Sequence, residues 1–520
     1  MVDVKHQFGG GWATDFGPNF DGGPDASGNL VMPFLVRARN AVYELDGGPH
    51  KKPGATKLNS SALESGAAVM GLVDYWRIGT GGTPTQRRIV NVGTKIKADN
   101  ADGTFSDIIT GRTSGAIPSY CVFDDILIIA DDSGNAPQSY NGTTGGALAG
   151  SPPNFAFCVA HKSRAWAAGN PSVPSRLYYS VLGNPEDWTG SGSGSIDVDL
   201  DDGDKITGLI SHKNEMIVFK GPYKGSIHRI TGSSPTGDDA FARKPFVNGI
   251  GAVWHNAIFR YGDDVGFVAP EGTIHSLTTT AQYGDFRAGA LSFPFNNYLA
   301  QVVNGTQIKK CWAQADNARG MALITMPING SSANNVVFMM DFRFSPVRWA
   351  YWDDLALTCI ASVVDPGDSN RIKLMTGHYD GYVRKQSGVA RDIDGTAAIT
   401  FDATTPYLTY GVPVNLKTFV AGAVGILPKN TGSFTFGWTR DDNGQQTQTI
   451  TQTTTGLDTF VLDTDALGGV NYVDRFFSAV SGGEFRAIQY QVLEPTLSED
   501  IEVHSIIAAI DLGAPSYENL

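Results

Sequence analysis

Residues 176–204 read RLYYSVLGNPEDWTGSGSGSIDVDLDDGD. Leu177, Tyr178, Tyr179 and Val181 are aromatic and β-branched residues that fit a pleated surface, so the stretch opens as a strand. Asn184-Pro185 ends it, because proline fixes φ and cannot donate to a ladder. Trp188 follows the turn, then a Gly/Ser string, then the carboxylates Asp197, Asp199, Asp201, Asp202 and Asp204. The same order of strand, turn aromatic and polar loop recurs on both sides of this stretch.

Working outward, hairpin-like pairs of apolar runs fill residues 65–388. They include 69–78 with 88–97, 120–130 broken at Asp124-Asp125, 155–168 with 176–182, and 206–220 with Lys213-Asn214-Glu215 at its tip. Residues 252–268, 311–352 and 356–385 continue the series. A glycine, then one residue, then an apolar one is the closing element that carries the period. Gly103 to Gly142 is 39 residues, Gly142 to Gly225 is 83, and Gly225 to Gly272 is 47. A period of about 40–45 residues with four short strands per unit describes propeller blades. One such sheet cannot bury both faces alone, whereas blades around an axis can. The spacing predicts six or seven blades. A short helix is expected within 286–303, where Phe295, Tyr298, Leu299 and Val302 have helical spacing.

After Asp392 the strands come closer together, at 399–410, 414–427, 433–440, 446–453, 459–462, 485–493 and 501–512, with a short helix expected over Val470, Val473, Phe477 and Val480. This predicts an antiparallel β-sandwich. The expected division is an N-terminal arm with first strands over 1–64, a β-propeller over 65–390 and a β-sandwich over 391–520.

Composition agrees with an all-β chain. The 520 residues include 62 Gly and 26 Pro, and only 18% are charged. The net charge of −13 excludes a general nucleic-acid-binding surface, which is basic. It is compatible with an acidic wall past which DNA slides. Cys121, Cys158, Cys311 and Cys359 lie far apart in apolar runs and are expected to be buried free thiols. The start, MVDVKHQFGGGW, lacks the basic and apolar regions of a signal peptide, and no stretch approaches the ~18 apolar residues of a membrane span. The expected place of synthesis is a cytoplasm.

No nucleophile elbow, phosphate-binding glycine loop, zincin motif or zinc-spaced Cys/His cluster is present. The candidate metal site is the alternating set Asp197, Asp199 and Asp201, which offers oxygens to Ca²⁺. The set lacks the glycine position and the final glutamate of an EF-hand loop. Apart from this Ca²⁺ no cofactor is expected. Two facing carboxylates and aromatic stacking platforms would suit a glycan-binding or glycan-cleaving propeller. The acidic pairs Asp124/Asp125, Asp201/Asp202, Asp263/Asp264 and Asp353/Asp354, with Trp188, Tyr223 and Tyr283, keep that alternative open. A scaffold for a protein partner is the third reading. His50, Lys51 and Lys52 form a basic turn, read as solvated or as a contact for an acidic partner surface.

Four segments together resemble one family. They are Arg39-Asn40-Ala41-Val42 with Lys51-Lys52-Pro53-Gly54; Ser175-Arg176-Leu177-Tyr178-Tyr179-Ser180 with Asn184-Pro185-Glu186-Asp187-Trp188; Glu215-Met216-Ile217-Val218-Phe219-Lys220 with Gly225-Ser226-Ile227; and Phe485-Arg486-Ala487-Ile488-Gln489-Tyr490-Gln491. In this order the chain resembles the tail nozzle proteins of short-tailed bacteriophages, the tail tubular protein B family, and the related packaged-DNA-stabilisation tail proteins. The resemblance implies a virion protein assembled in the host cytoplasm. It implies a homohexamer at the distal end of the tail, docked on an adaptor ring, with tail fibres or spikes as further partners. Its channel retains DNA and conducts it at infection, and no catalytic residue is implied. Asp124, Asp125, Asp201, Asp202, Asp263 and Asp264 are the expected acidic lining of that channel.

Overall fold

The computed structural model describes residues 2–7, 11–15, 34–45, 48–79, 81–283, 289–386, 390–428, 432–441, 443–452, 473–477 and 484–515. The chain forms two compact units. One comprises Lys57–Val337 and Leu355–Gln386; the other comprises Met1–Thr56, Phe338–Asp354 and Ser387–Leu520. The linear division expected from the sequence is therefore corrected. Residues 338–354 lie inside the expected propeller span yet pack with the chain's two ends.

In the first unit the chain winds through successive antiparallel sheets. Blade 1 is Val69–Arg77, Thr85–Val92, Lys95–Asp99 and Phe105–Ile109; blade 2 is Pro118–Phe123, Ile126–Asp131, Gln138–Tyr140 and Gly145–Ala147. Blade 3 is Phe157–His161, Arg164–Ala168, Arg176–Tyr179 and Gly194–Asp197; blade 4 is Lys205–His212, Glu215–Gly221, Ser226–Thr231 and Ala242–Asn248. Blade 5 has three strands, Ile258–Tyr261, Asp264–Val268 and Ile274–Ser276, and runs into the helix Leu277–Tyr283. Blade 6 starts with Trp312–Asp316 and Met321–Met326, and the unit boundary falls inside its next strand, Val336–Asp341. Blade 7 contributes Leu357–Asp365, Arg371–His378 and Val383–Gln386.

The first strands of these seven blades pack in order around an axis, and the seventh returns to the first. This is a β-propeller. The closing seam is polar. The Thr358 hydroxyl donates to the Val69 carbonyl. Val364 N–H donates to the Asp74 carboxylate at 2.9 Å, and the Gln86 amide donates to the Val364 carbonyl at 2.7 Å. Apolar side chains fill the seams between other blades. Tyr75, Ile89, Ile129 and Tyr140 fill one seam, Cys121, Ile128, Phe155 and Ala165 the next, and Ile217, Phe219, Val265 and Phe267 a later one. All four cysteines are buried and free.

The second unit is built mainly on two sheets whose pairings are mostly antiparallel. One orders Ala41–Tyr43, Pro49–Lys51, Ile501–Pro515, Asn415–Pro428 and Val473–Phe477, with Val2–Gln7 added along Ile501–Pro515. The other includes Arg37–Arg39, Phe401–Thr404, Ile488–Glu494, Gly432–Arg440 and Gln446–Gln452. In Ile488–Glu494 the buried positions Ile488, Tyr490, Val492 and Glu494 alternate with half-buried ones, the period of a sheet with one covered face. The helix expected over 470–480 is corrected: Val473–Phe477 is a strand antiparallel to Asn415–Pro428. A spacing of four residues repeats in a strand as well as in a helix, so the pattern does not separate the two. Val470, Val480 and the strand expected at 459–462 lie outside the described residues. The helix expected near 286–303 is Asn296–Val302, entered through a 3₁₀ turn at Phe293–Phe295; Phe286 is outside the described residues.

His50, Lys51 and Lys52 are buried in this unit rather than presented to a partner, which corrects the sequence reading. The acidic surface they meet belongs to their own chain. The Lys51 ammonium pairs with Glu494 and donates to the Thr496 carbonyl at 3.0 Å. Lys52 pairs with Asp354 at 2.8 Å and lies over the Trp352 ring. The His50 ring is held between Glu44 at 3.0 Å and Asp500 at 2.7 Å. A buried ion pair contributes little against an apolar replacement, but breaking it strands a charge. Lys51→Met is expected to lower unfolding stability by about 3–5 kcal/mol, and adding Glu494→Leu to recover most of that loss, as read by denaturant titration. A Cβ on Gly54 would lie 2.1 Å from the Asp392 carbonyl oxygen, so Gly54→Ala is expected to cost about 1–3 kcal/mol in the same assay.

Candidate functional site

The acidic tips sort by topology. Within each blade the connection from first to second strand lies at one face of the ring, and the link to the next blade lies at the other. Asp124, Asp125, Asp263 and Asp264 are at the hairpin face. Asp201 and Asp202, in the link from blade 3 to blade 4, are at the opposite face. The six carboxylates therefore do not form one cluster on the ring.

Half of them are also committed to the fold. Asp124 and Asp125 make a two-residue turn with φ of 52° and 60°, the left-handed pair that a tight hairpin needs. The Asp125 carboxylate accepts the N–H groups of Ile78 at 3.0 Å and Gly79 at 2.7 Å. These two bonds hold its carboxyl below the usual carboxylate range. Asp264 accepts from Thr278 N–H at 3.2 Å and from the Thr278 hydroxyl at 2.9 Å, capping the helix that follows blade 5. Asp202 is taken by Lys220. Asp124, Asp201 and Asp263 are exposed. Asp263 forms an exposed pair with Lys213 at 3.0 Å.

The carboxylates expected to hold Ca²⁺ diverge instead. Asp197 takes Arg176, its cross-strand partner, through Nε at 2.6 Å and Nη2 at 2.9 Å. That guanidinium keeps the Asp197 carboxyl below its ordinary value. Asp199 pairs with Arg243 and lies 3.4 Å from His228. Asp201 points to solvent. Asp204 accepts three successive N–H groups, from Tyr223, Lys224 and Gly225, at 2.7–2.9 Å. The cation that organises the loop is the buried Lys220 ammonium, which donates to the carbonyls of Val198 at 2.7 Å and Asp199 at 2.6 Å and to Asp202 at 2.8 Å. Each of these carboxylates but Asp201 thus has a protein cation or N–H donor of its own. Trp188 is core, packed on Phe155 at 5.3 Å between ring centroids and donating Nε1–H to the Pro185 carbonyl.

The axis of the ring holds a cavity of about 350 Å³ lined from all seven first strands, among them Leu72, Asp74, Tyr120, Val159, Leu209, Ile258, Gln314 and Ser362. Sequence reasoning did not single out Asp74, Gln314 or Ser362; their place on the first strand of a blade was the available signal. The Asp74 carboxylate is satisfied by Trp76 Nε1–H at 2.9 Å, the Gln86 amide at 2.7 Å and Val364 N–H. His255, also at the cavity, has its pKa pushed down to about 4 by burial and stays neutral. A cavity of this volume accommodates water or a small ligand.

No family model and no curated protein sequence matches the chain. Among solved structures it is similar to BamB from Moraxella catarrhalis, at 12% identity and a TM-score of 0.35 over 67% of this chain and 96% of that one. It is also similar to a gluconolactonase from Xanthomonas campestris, at 10% identity and a TM-score of 0.32 over 65% of this chain and 89% of that one. Likenesses of this size carry no argument about activity, and the propeller rests on its own sheets.

The Lys220 loop generates a two-part prediction. Lys220→Met leaves Asp202 and two carbonyls without their cation, and is expected to lower stability by about 3–5 kcal/mol. Added CaCl₂ is expected to leave the melting temperature of the native protein unchanged through this loop. A Ca²⁺-dependent rise that is lost in Asp201→Asn would contradict the assignment of Lys220 as the loop's cation.

Proposed function

We propose that the chain is a structural virion protein, the tail nozzle of a short-tailed bacteriophage. In this reading six copies dock on a tail adaptor ring and enclose a channel that retains packaged DNA and conducts it at infection. One observation carries the reading: the residues that resemble the family are those that build the fold. Asn40 adopts a left-handed φ of 52° and its amide donates to the Thr400 carbonyl. Lys51 is the buried half of an ion pair, and Gly54 sits against the Asp392 backbone. Trp188 is core, Lys220 organises the acidic loop, and the buried Tyr490 hydroxyl bonds that of Tyr410 at 2.7 Å. These structural roles support the reading, because the resemblance rests on residues that the fold needs.

Charge supports the same reading. Retention of phosphate needs Lys or Arg to replace counterions, and each copy carries −13 instead. Because the axial cavity of one ring is small, the conduit in this reading is the space enclosed by the six copies. Catalysis plays no part in it. A glycan-binding role is the second reading, supported by Tyr223, which is 83% exposed at the link face of the ring beside the acidic loop.

Light scattering on the full chain, alone and mixed with its adaptor ring, tests the first reading. A mass of six 55.4 kDa chains is expected, alone or added to the mass of the ring. A monomer in both states would contradict it. Binding to a host glycan that Tyr223→Ala abolishes would favour the second reading.

A further inference from the structure

The unit that joins the chain's two ends contains a convergence of metal-ligating groups away from the acidic loop. Glu44 and His50 lie around the turn that joins Ala41–Tyr43 to Pro49–Lys51, and Glu502 stands opposite His50 on Ile501–Pro515. One ligand atom from each of Glu44, His50 and Glu502 falls within 4.8 Å of the other two. His50 and Glu502 are buried, while the Glu44 side chain is 41% exposed, which leaves an entry path on one side.

The hydrogen-bond pattern around His50 gives a separate reason for a cation. Its Nε2 lies 2.7 Å from Asp500 Oδ1, and the other Asp500 oxygen is held by Arg391 Nε at 3.0 Å. Arg391 Nη2 lies farther from the same nitrogen, at 3.3 Å; the shorter contact is to an ionised carboxylate, which only accepts, so Nε2 is assigned the hydrogen. In the neutral ring Nδ1 is then a lone pair, and it faces the Glu44 carboxylate oxygen at 3.0 Å. Either a proton on Nδ1 or a bound cation resolves these two facing acceptors, and the third carboxylate, Glu502, lies beside them with one oxygen 2.7 Å from His504 Nε2. Imidazole that ligates through one nitrogen while the other donates to a carboxylate is the usual arrangement around a protein-bound metal, where the outer carboxylate fixes the ring. Tetrahedral ligands at Zn–N and Zn–O distances of about 2.0–2.2 Å stand about 3.3 Å apart, close to the separation of the Glu44 and His50 atoms.

We propose that Glu44, His50 and Glu502 bind one zinc ion, with Asp500 as the outer carboxylate that orients His50. An imidazole nitrogen among the ligands favours zinc over Ca²⁺ or Mg²⁺, which take oxygen donors. The ion ties the N-terminal hairpin to the C-terminal strand, so it acts on the join between the ends of the chain. This inference is independent of the proposed function.

The test uses the full chain, stripped with a chelator and titrated calorimetrically with ZnCl₂ and, separately, CaCl₂. One zinc per chain is expected, with far weaker Ca²⁺ binding. Glu44→Gln removes a half-exposed ligand. It is expected to weaken zinc binding at least about tenfold, the loss that an outer partner alone typically causes, and to leave the melting temperature of the metal-free protein unchanged. His50→Gln is expected to abolish stoichiometric binding; if that variant does not fold, Glu44→Gln decides alone. Absence of stoichiometric zinc binding by the native chain, or equal affinity in the native chain and Glu44→Gln, would overturn the proposal. In either case a proton on His50, rather than a metal, is the cation between the two acceptors.

Discussion

Each blade of the ring is apolar on both faces, and the propeller depends on that constraint. The second strands show it most clearly. Ile126–Asp131, Arg164–Ala168 and Glu215–Gly221 are buried at almost every position instead of at alternate ones. A strand buried on both sides belongs to a sheet covered on both sides. Each blade covers its neighbour, so the last must cover the first, and the ring closes only if Leu357–Asp365 meets Val69–Arg77. The groups at that seam are the hydrogen bonds from Val364 and Gln86 and the Thr358 hydroxyl. Asp74 serves two ends here, receiving its own blade's Trp76 and Gln86 as well as Val364 from the last blade.

Much of this was legible in the sequence, because the information is local. Alternation, turn residues and the glycine-closed period mark the hairpins without knowledge of what they pack against. The assignment of residues 338–354 was not legible: they read as another blade segment, and periodicity does not say which core a strand joins. The basic triplet at 50–52 misled for a related reason. Its local pattern is that of a solvated turn, but Glu494 lies 443 residues away from Lys51. The loop at 197–204 looked like a Ca²⁺ loop because its carboxylates are spaced as ligands. Their partners, Arg176, Lys220 and Arg243, sit on three other strands. The convergence of Glu44, His50 and Glu502 has no motif at all, since it joins opposite ends of the chain.

The acidic surplus therefore divides into two populations. Asp125, Asp202, Asp204 and Asp264 are structural acceptors that cap turns, receive a buried ammonium or start a helix. Asp124, Asp201 and Asp263 contribute their charge to the surface. The distinction matters for a conduit, because only the second population acts on a passing polyanion, and salt screens such exposed charges over about 8–10 Å. An acidic count taken from composition alone overstates the field that DNA would meet.

Electron microscopy of the chain, alone and mixed with the adaptor ring that the proposed function assigns to it, tests that proposal most directly. The account predicts end-on averages with six-fold symmetry around an open hole, each of the six lobes a ring with a small axial cavity. Averages of any other symmetry, or a closed assembly in which one propeller ring occupies the central axis, would contradict it.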